Sequence, residues 1–126
     1  MNFSVPGLVR AAGGEIFGKV RLQKIVYLLD QIGLKSGFSY EYHHYGPYSE
    51  QLAERVEDEI VFGRLKADLR RRQSDGVPYV VFRLPPDDNA NAIDRDQPSD
   101  RIRMALSEMS GRSATVLELA ATINWL

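Results

Sequence analysis

The most regular pattern of apolar residues lies between Lys19 and Leu34, where they recur every three or four positions. The stripe consists of Leu22, Ile25, Val26, Leu29 and Ile32. This spacing predicts an amphipathic helix. Tyr27 and Leu28 fall beside the stripe, so the helix is apolar on more than one side and is expected to form the centre of the domain. The cationic side chains expected to face solvent around it are Arg21, Lys24 and Lys35.

Shorter helical patterns flank this central helix on both sides. They lie at residues 4–12, 49–63, 99–109 and 113–126. Each begins with a side chain suited to accept hydrogen bonds from the free N–H groups of a first helical turn. The predicted N-caps are Ser4, Ser49, Ser99 or Asp100, and Ser113.

Alternation of apolar and polar residues, which is the period of a strand, occurs in three places, the first from Phe38 to Tyr42. The other two, Leu65–Leu69 and Tyr79–Leu84, surround Asp75-Gly76 and predict an antiparallel β-hairpin whose second strand is better buried. The polar, proline-punctuated segment 85–100 is expected to be an acidic loop within the domain. Together the patterns predict an α+β fold that is mostly helical and contains one hairpin.

The segment from Phe38 to Leu52 carries the densest set of chemically distinctive residues. It holds five of the twelve aromatic residues, both histidines and the step Gly46-Pro47. This step is expected to end any extended pairing, because proline has no N–H to donate. The rest of the chain is interpreted as a scaffold around this segment.

Length and composition are those of one ordinary globular domain spanning residues 1–126. The chain is 44% apolar and 26% charged, and its net charge is −1. The lack of cysteine excludes disulfides, thiolate metal sites and a cysteine nucleophile. Because no apolar run is long enough to span a membrane and no signal-peptide pattern is present, we expect a cytoplasmic protein without membrane contact.

Sequence motifs of catalysis are absent: there is no Gly-rich phosphate loop, no Gly-x-Ser-x-Gly and no nucleophile with a histidine relay. The neighbouring His43 and His44 would point to opposite faces of an extended segment, and no third ligand has a matching spacing. We therefore expect neither an enzyme nor a protein that binds a metal or cofactor.

Two groups of side chains are candidates for contact with a partner. Tyr42, Tyr45 and Tyr48 combine an apolar body with a polar tip, as at protein interfaces, although aromatic residues near a helix start are more often core. Arg70-Arg71-Arg72 lies at the predicted hairpin end, as either a solvated turn or a wing that contacts phosphates. The segment 49–62 argues against DNA contact, because its charges sum to −4.

Three segments are distinctive when they are read together. They are residues 18–29 with Leu22-Gln23-Lys24 at their centre, the block Tyr45-Gly46-Pro47-Tyr48-Ser49, and the helix end Phe62-Gly63-Arg64-Leu65. These segments resemble the SocA/Panacea antitoxin-like family, and the C-terminal residues 117–126 are similar to the closing helix of its YwgA-like branch. The resemblance covers residues 14–84 well and the rest loosely.

The resemblance implies a small, winged-helix-like helical domain of prokaryotes and prophages, often encoded beside a toxin that it neutralises by direct contact. It implies no catalysis. The residues that carry the shared structural motif are Leu22, Gln23, Lys24, Gly46, Pro47 and Ser49. The expected function is therefore that of an antitoxin whose partner is a cognate toxin. The alternative is a winged-helix DNA-binding transcriptional regulator that uses Arg70–Arg72, and the oligomeric state is open.

Overall fold

Five helices and five strands make up the part of the chain that the computed structural model describes, residues 3–44, 46–86 and 99–126. The helices are α1 (Val5–Ala11), α2 (Lys19–Gln31), α3 (Glu50–Val61), α4 (Asp100–Ser110) and α5 (Ala114–Trp125). The strands are β1 (Glu15–Phe17), β2 (Glu41–His43), β3 (Gly46–Tyr48), β4 (Lys66–Arg71) and β5 (Pro78–Arg83). The predicted α+β class is confirmed, and the winged-helix likeness stays a prediction.

The central helix is α2, as the sequence predicts. Its stripe residues Ile25, Val26 and Leu29 are at most 1% exposed. The helix contacts α5, α4, β3 and β1. A single apolar core forms around it from every helix and from β1 and β5. Burial on several sides follows from the residues beside the stripe, because Tyr27 is 5% exposed.

Serine caps fix the starts of the other helices where the sequence places them. In each case the hydroxyl oxygen accepts a hydrogen bond from the N–H three residues later. The pairs are Ser4 with Gly7, Ser49 with Leu52, Ser99 with Ile102 and Ser113 with Val116, at 3.1, 3.1, 3.4 and 3.2 Å. Each of these four helix starts therefore has a local hydrogen bond that stabilises it.

The larger sheet has the antiparallel order β1-β5-β4. Its β4–β5 pair is the predicted hairpin, and Val81 and Phe82 of β5 are buried, whereas Leu69 of β4 is 71% exposed. Strand β1 pairs Ile16 with Phe82. The sequence does not predict β1, because three residues are too few to show an alternation.

The smaller sheet corrects the prediction that Gly46-Pro47 ends extended pairing. Strand β3 contains both residues and pairs antiparallel with β2, with Tyr42 opposite Pro47 and His43 opposite Gly46. A two-stranded ribbon uses one edge of each strand, so a proline is tolerated where its missing N–H is not needed.

The segment 85–100, predicted to be a loop, falls mainly on residues 87–98, which lie outside the described residues. No helix in the described ranges is both long and apolar enough to cross a membrane.

Candidate functional site

Gln23 holds Ser49 through both polar groups of its side-chain amide. Its Nε2 donates to the Ser49 carbonyl oxygen at 3.0 Å, and its Oε1 accepts from the Ser49 N–H at 2.9 Å. The two residues are 5% and 0% exposed. The amide therefore pairs with the Ser49 backbone as a neighbouring strand would, at a position that water does not reach.

Lys24 holds the backbone at Pro47, two residues before Ser49. Its Nζ donates to the Pro47 carbonyl oxygen at 2.6 Å, and the residue is 1% exposed. Burial lowers the pKa of the Lys24 ammonium, and the charge of Glu118 on α5 partly opposes this. The prediction that Lys24 faces solvent is wrong. Strand β3 covers this side of α2, and the Lys24 ammonium donates its hydrogen bond to a buried carbonyl oxygen.

Gly46 lies where β3 meets α5. Its φ of +94° is a conformation that side chains disfavour, and a Cβ there would lie 2.9 Å from Oγ1 of Thr122. Only glycine fits this approach. The block is therefore fixed by α2 on one side and by α5 on the other. Of the predicted motif residues, Gln23 and Lys24 contact the block that holds Gly46, Pro47 and Ser49, and Leu22 is buried in the core.

Aromatic side chains connect α2, β2 and α5 beside the block. Tyr27 forms an edge-to-face pair with Tyr40 at 5.0 Å and lies 6.1 Å from Trp125. Trp125 is in turn 6.1 Å from Tyr42. The Tyr27 hydroxyl donates to Oδ1 of Asn124 at 2.8 Å. These contacts dock the end of α5 on the core, and Tyr42 keeps 52% of its surface exposed.

The other predicted contact tyrosines have different settings. Tyr48 is half-buried and stacks on His43 with 4.7 Å between ring centroids. Burial, followed by the charge of Glu50, raises the pKa of Tyr48. His43 also lies 3.6 Å from a carboxylate oxygen of Glu41. Tyr45 lies outside the described residues.

A cleft of about 530 Å³ opens beside the block, between α2 and α3. Its apolar walls are Val20, Leu22, Tyr48, Ala53, Val56 and Phe82, and its polar walls are Lys19, Gln23, Lys24, His43, His44 and Glu57. Leu22, Val56 and Phe82 are buried and form its floor, whereas Lys19 and Glu57 are exposed at the rim. The volume lies within the range of sites that bind small molecules.

The exposed face of α3 beside this cleft is acidic. Glu50, Glu54, Glu57 and Asp58 are all exposed, with Arg55 as the one cation of the helix. Glu59 is turned inward and forms a two-point ion pair with Arg64, at 2.8 and 3.0 Å. This face would repel phosphates and attract cationic groups.

The hairpin arginines are held by neighbouring polar groups. Arg70 pairs with Glu15 at 2.9 Å, and Arg72 pairs with Asp75 at 2.7 Å. Arg71 donates to the Gly76 carbonyl oxygen at 3.0 Å. Much of the positive charge predicted for this hairpin end is therefore offset within the protein.

Among the described residues, no group of three or more His, Cys, Asp or Glu side chains is arranged to hold a metal ion. His43 and His44 both line the cleft. His43 is the last residue of β2, and His44 follows it in the turn to β3.

No family model matches the chain. It is 29% identical over 114 residues to the uncharacterized protein YwgA of Bacillus subtilis (strain 168). The match covers 87% of this chain and 65% of YwgA, so the chain spans less than two thirds of the length of this relative.

Two features of the site were not predicted from the sequence, namely the burial of Gln23 and Lys24 and the cleft itself. The available signal was the Leu22-Gln23-Lys24-Ile25 step, in which two polar residues interrupt a helix that is otherwise apolar on several sides. Polar residues on such a helix indicate buried hydrogen-bond partners.

Proposed function

We propose that this chain is a protein-interaction module, the antitoxin of a toxin–antitoxin pair that neutralises its toxin by direct binding. The observation that carries the proposal is the cleft between α2 and α3, whose apolar floor is bordered by charged side chains and by the Tyr48–His43 stack. Clefts of this composition take the apolar anchor residues that supply most of the energy of a protein interface.

The SocA/Panacea resemblance also supports this choice. It rests partly on Leu22-Gln23-Lys24 and Gly46-Pro47-Tyr48-Ser49, and these two motifs form one wall of the cleft and its supports. The shared motif would thus serve to hold the binding wall rather than to contact the toxin with every residue.

The charge distribution favours a protein over duplex DNA. The acidic exposed face of α3 borders the cleft, and two of the three hairpin arginines are paired with carboxylates. A protein that binds DNA gains much of its affinity from cations that neutralise phosphates and release counterions. The regulator that would use Arg70–Arg72 is therefore the second candidate.

Growth rescue tests the proposal. The product of the adjacent gene is expressed with the wild type, with Ala53→Arg or Tyr48→Ala, which alter the cleft wall, and with Met104→Arg. Met104 is 74% exposed on α4 and does not line the cleft, so it controls for the introduced arginine. We expect complex formation and rescue with the wild type and Met104→Arg, and loss of both with folded Ala53→Arg.

Two results would count against the proposal. If the adjacent product causes no growth defect and forms no complex, the antitoxin function is wrong. The second result is binding to duplex DNA with an affinity that falls steeply with salt and that only the replacement of Arg70, Arg71 and Arg72 by alanine abolishes. In that case the function is that of a DNA-binding regulator and not of an antitoxin.

A further inference from the structure

Helix α5 is apolar on two opposite sides. Its inner side buries Leu117 and Ala121 against α2 and β3. Its outer side leaves Val116, Leu119 and Ile123 exposed by 50%, 61% and 62%. A helix that is hydrophobic all round is normally covered on all sides. The outer face of α5, which we define as Val116, Leu119, Ile123 and the following Leu126, is an apolar surface that the described residues leave exposed.

The spacing of the residues on this face suits pairing with the same face of a second copy of the chain. The four residues follow one another at intervals of three, four and three, which is the a–d–a–d order of a heptad repeat. The a positions are the β-branched Val116 and Ile123, and the d positions are Leu119 and Leu126. This combination favours two parallel helices over three or four.

The electrostatics of the helix also fit a second copy. Glu118 is the one charged residue of α5, and it lies on the inner side, where its charge acts on Lys24. Two outer faces can therefore meet without burying a charge or opposing like charges. Ala120 beside the stripe is small, which permits the close axial approach of packed helices.

The area of the face sets the expected strength of pairing. At 50–62% exposure Val116, Leu119 and Ile123 each leave roughly 60–90 Å² of apolar side-chain surface in water, and with Leu126 at 95% the face offers roughly 350 Å² per copy. With the flanking Thr115 and Ala120, two copies would remove at most about 1,000 Å² from water, at the lower limit for a specific interface. Such a pair is expected to be reversible and dependent on concentration.

We propose that two copies of this chain associate through the outer faces of α5, with the two helices parallel across a two-fold axis. Multi-angle light scattering and sedimentation over a hundredfold range of concentration provide the first test. The wild type is expected to shift from monomer to dimer, and Leu119→Glu/Ile123→Glu to stay monomeric. Met104→Glu changes a side chain of similar exposure on α4 and should dimerise like the wild type. A thermal melt of each variant confirms that it folds.

Disulfide trapping tests the geometry, because the chain has no cysteine of its own. Leu119→Cys and Ile123→Cys should each form a covalent dimer with itself under mild oxidation, and Met104→Cys should not. Crosslinking only between Leu119→Cys and Ile123→Cys in a mixture would overturn the parallel arrangement. A wild type that stays monomeric at the highest concentration would overturn self-association. If the wild type stays monomeric and Leu119→Glu/Ile123→Glu fails to bind the adjacent gene product, that partner and not a second copy covers the face. This test does not depend on the cleft variants, so the two proposals can fail separately.

Discussion

The Gln23 amide and the Ser49 backbone form a reciprocal pair of hydrogen bonds, at 3.0 and 2.9 Å, across 26 positions of the chain. The pair fixes the residue at which β3 ends and α3 begins. Since Tyr48 precedes that residue and Ala53 lies in the first turn of α3, the same pair sets the relative position of two walls of the cleft.

Replacing Gln23 by alanine tests this relationship. Gln23→Ala leaves the buried Ser49 N–H without a partner, whereas the Ser49 carbonyl oxygen keeps the hydrogen bond from the Ala53 N–H at 3.2 Å. We therefore expect the free energy of unfolding to fall by about 1–3 kcal/mol in urea titrations. Gln31→Ala is the matched control, because Gln31 is exposed on the same helix, and a change within about 0.5 kcal/mol is expected. Equal losses in the two variants would show that the amide pair does not stabilise the fold.

The close approach of β3 and α5 gives a steric prediction. Gly46→Ala combines an unfavourable φ with a contact to Thr122, and we expect it to cost more than about 2 kcal/mol of unfolding free energy. Gly76 has a similar φ of +71°, and a Cβ there would have no heavy atom within 4 Å. Gly76→Ala therefore measures backbone strain alone, and we expect it to lower the free energy of unfolding by about 1 kcal/mol. In a double-mutant cycle, Thr122→Ala should recover part of the loss at Gly46 and none of the loss at Gly76.

Two serine caps in different surroundings should differ in strength. Ser49 caps α3 at a fully buried site, and we expect Ser49→Ala to cost about 1 kcal/mol or more, because water cannot replace the lost acceptor. Ser113 caps α5 at an exposed site, so Ser113→Ala should cost less. Thermal melts of the two variants measure the difference, and the reverse order would contradict the assigned burial.

Burial of Lys24 predicts a dependence of stability on pH. Because its folded-state pKa lies below the ordinary 10.5, the unfolded chain binds more protons between the two values, and the free energy of unfolding rises with pH in that window. Lys24→Met keeps the length of the side chain and removes the titration. The stability of the wild type relative to Lys24→Met should therefore increase as the pH is raised towards 10.5. A difference that stays constant with pH would contradict a lowered pKa.

The helices could be predicted from the sequence because each combines a stripe of apolar residues with a serine at its start. The hairpin β4–β5 was predictable for a similar reason, since alternation and an Asp-Gly turn are local signals. The pairs Gln23–Ser49 and Lys24–Pro47 could not be predicted, because the Gln-Lys step on an otherwise apolar helix indicates buried partners without indicating which residues they are. Its burial depends on β3, which lies more than 20 positions away.

The position of Pro47 within a strand could not be predicted from local signals either. Its missing N–H indicates a break in a strand, and the sequence contains no sign that β3 uses only one edge. The extended geometry of Gly46–Tyr48 depends on β2, on Lys24 and on α5 together. The cleft, built from four separate segments, could likewise be found only once the fold was known.

The direct test of binding at the cleft is amide hydrogen exchange of the protein alone and in complex with the adjacent gene product. Protection is expected to increase in the first turns of α3 and in residues 46–49, and to stay unchanged in the hairpin β4–β5. Ala53→Arg, used at the same concentrations, should abolish this protection. Protection confined to the hairpin, with no change around Ala53, would contradict binding at the cleft.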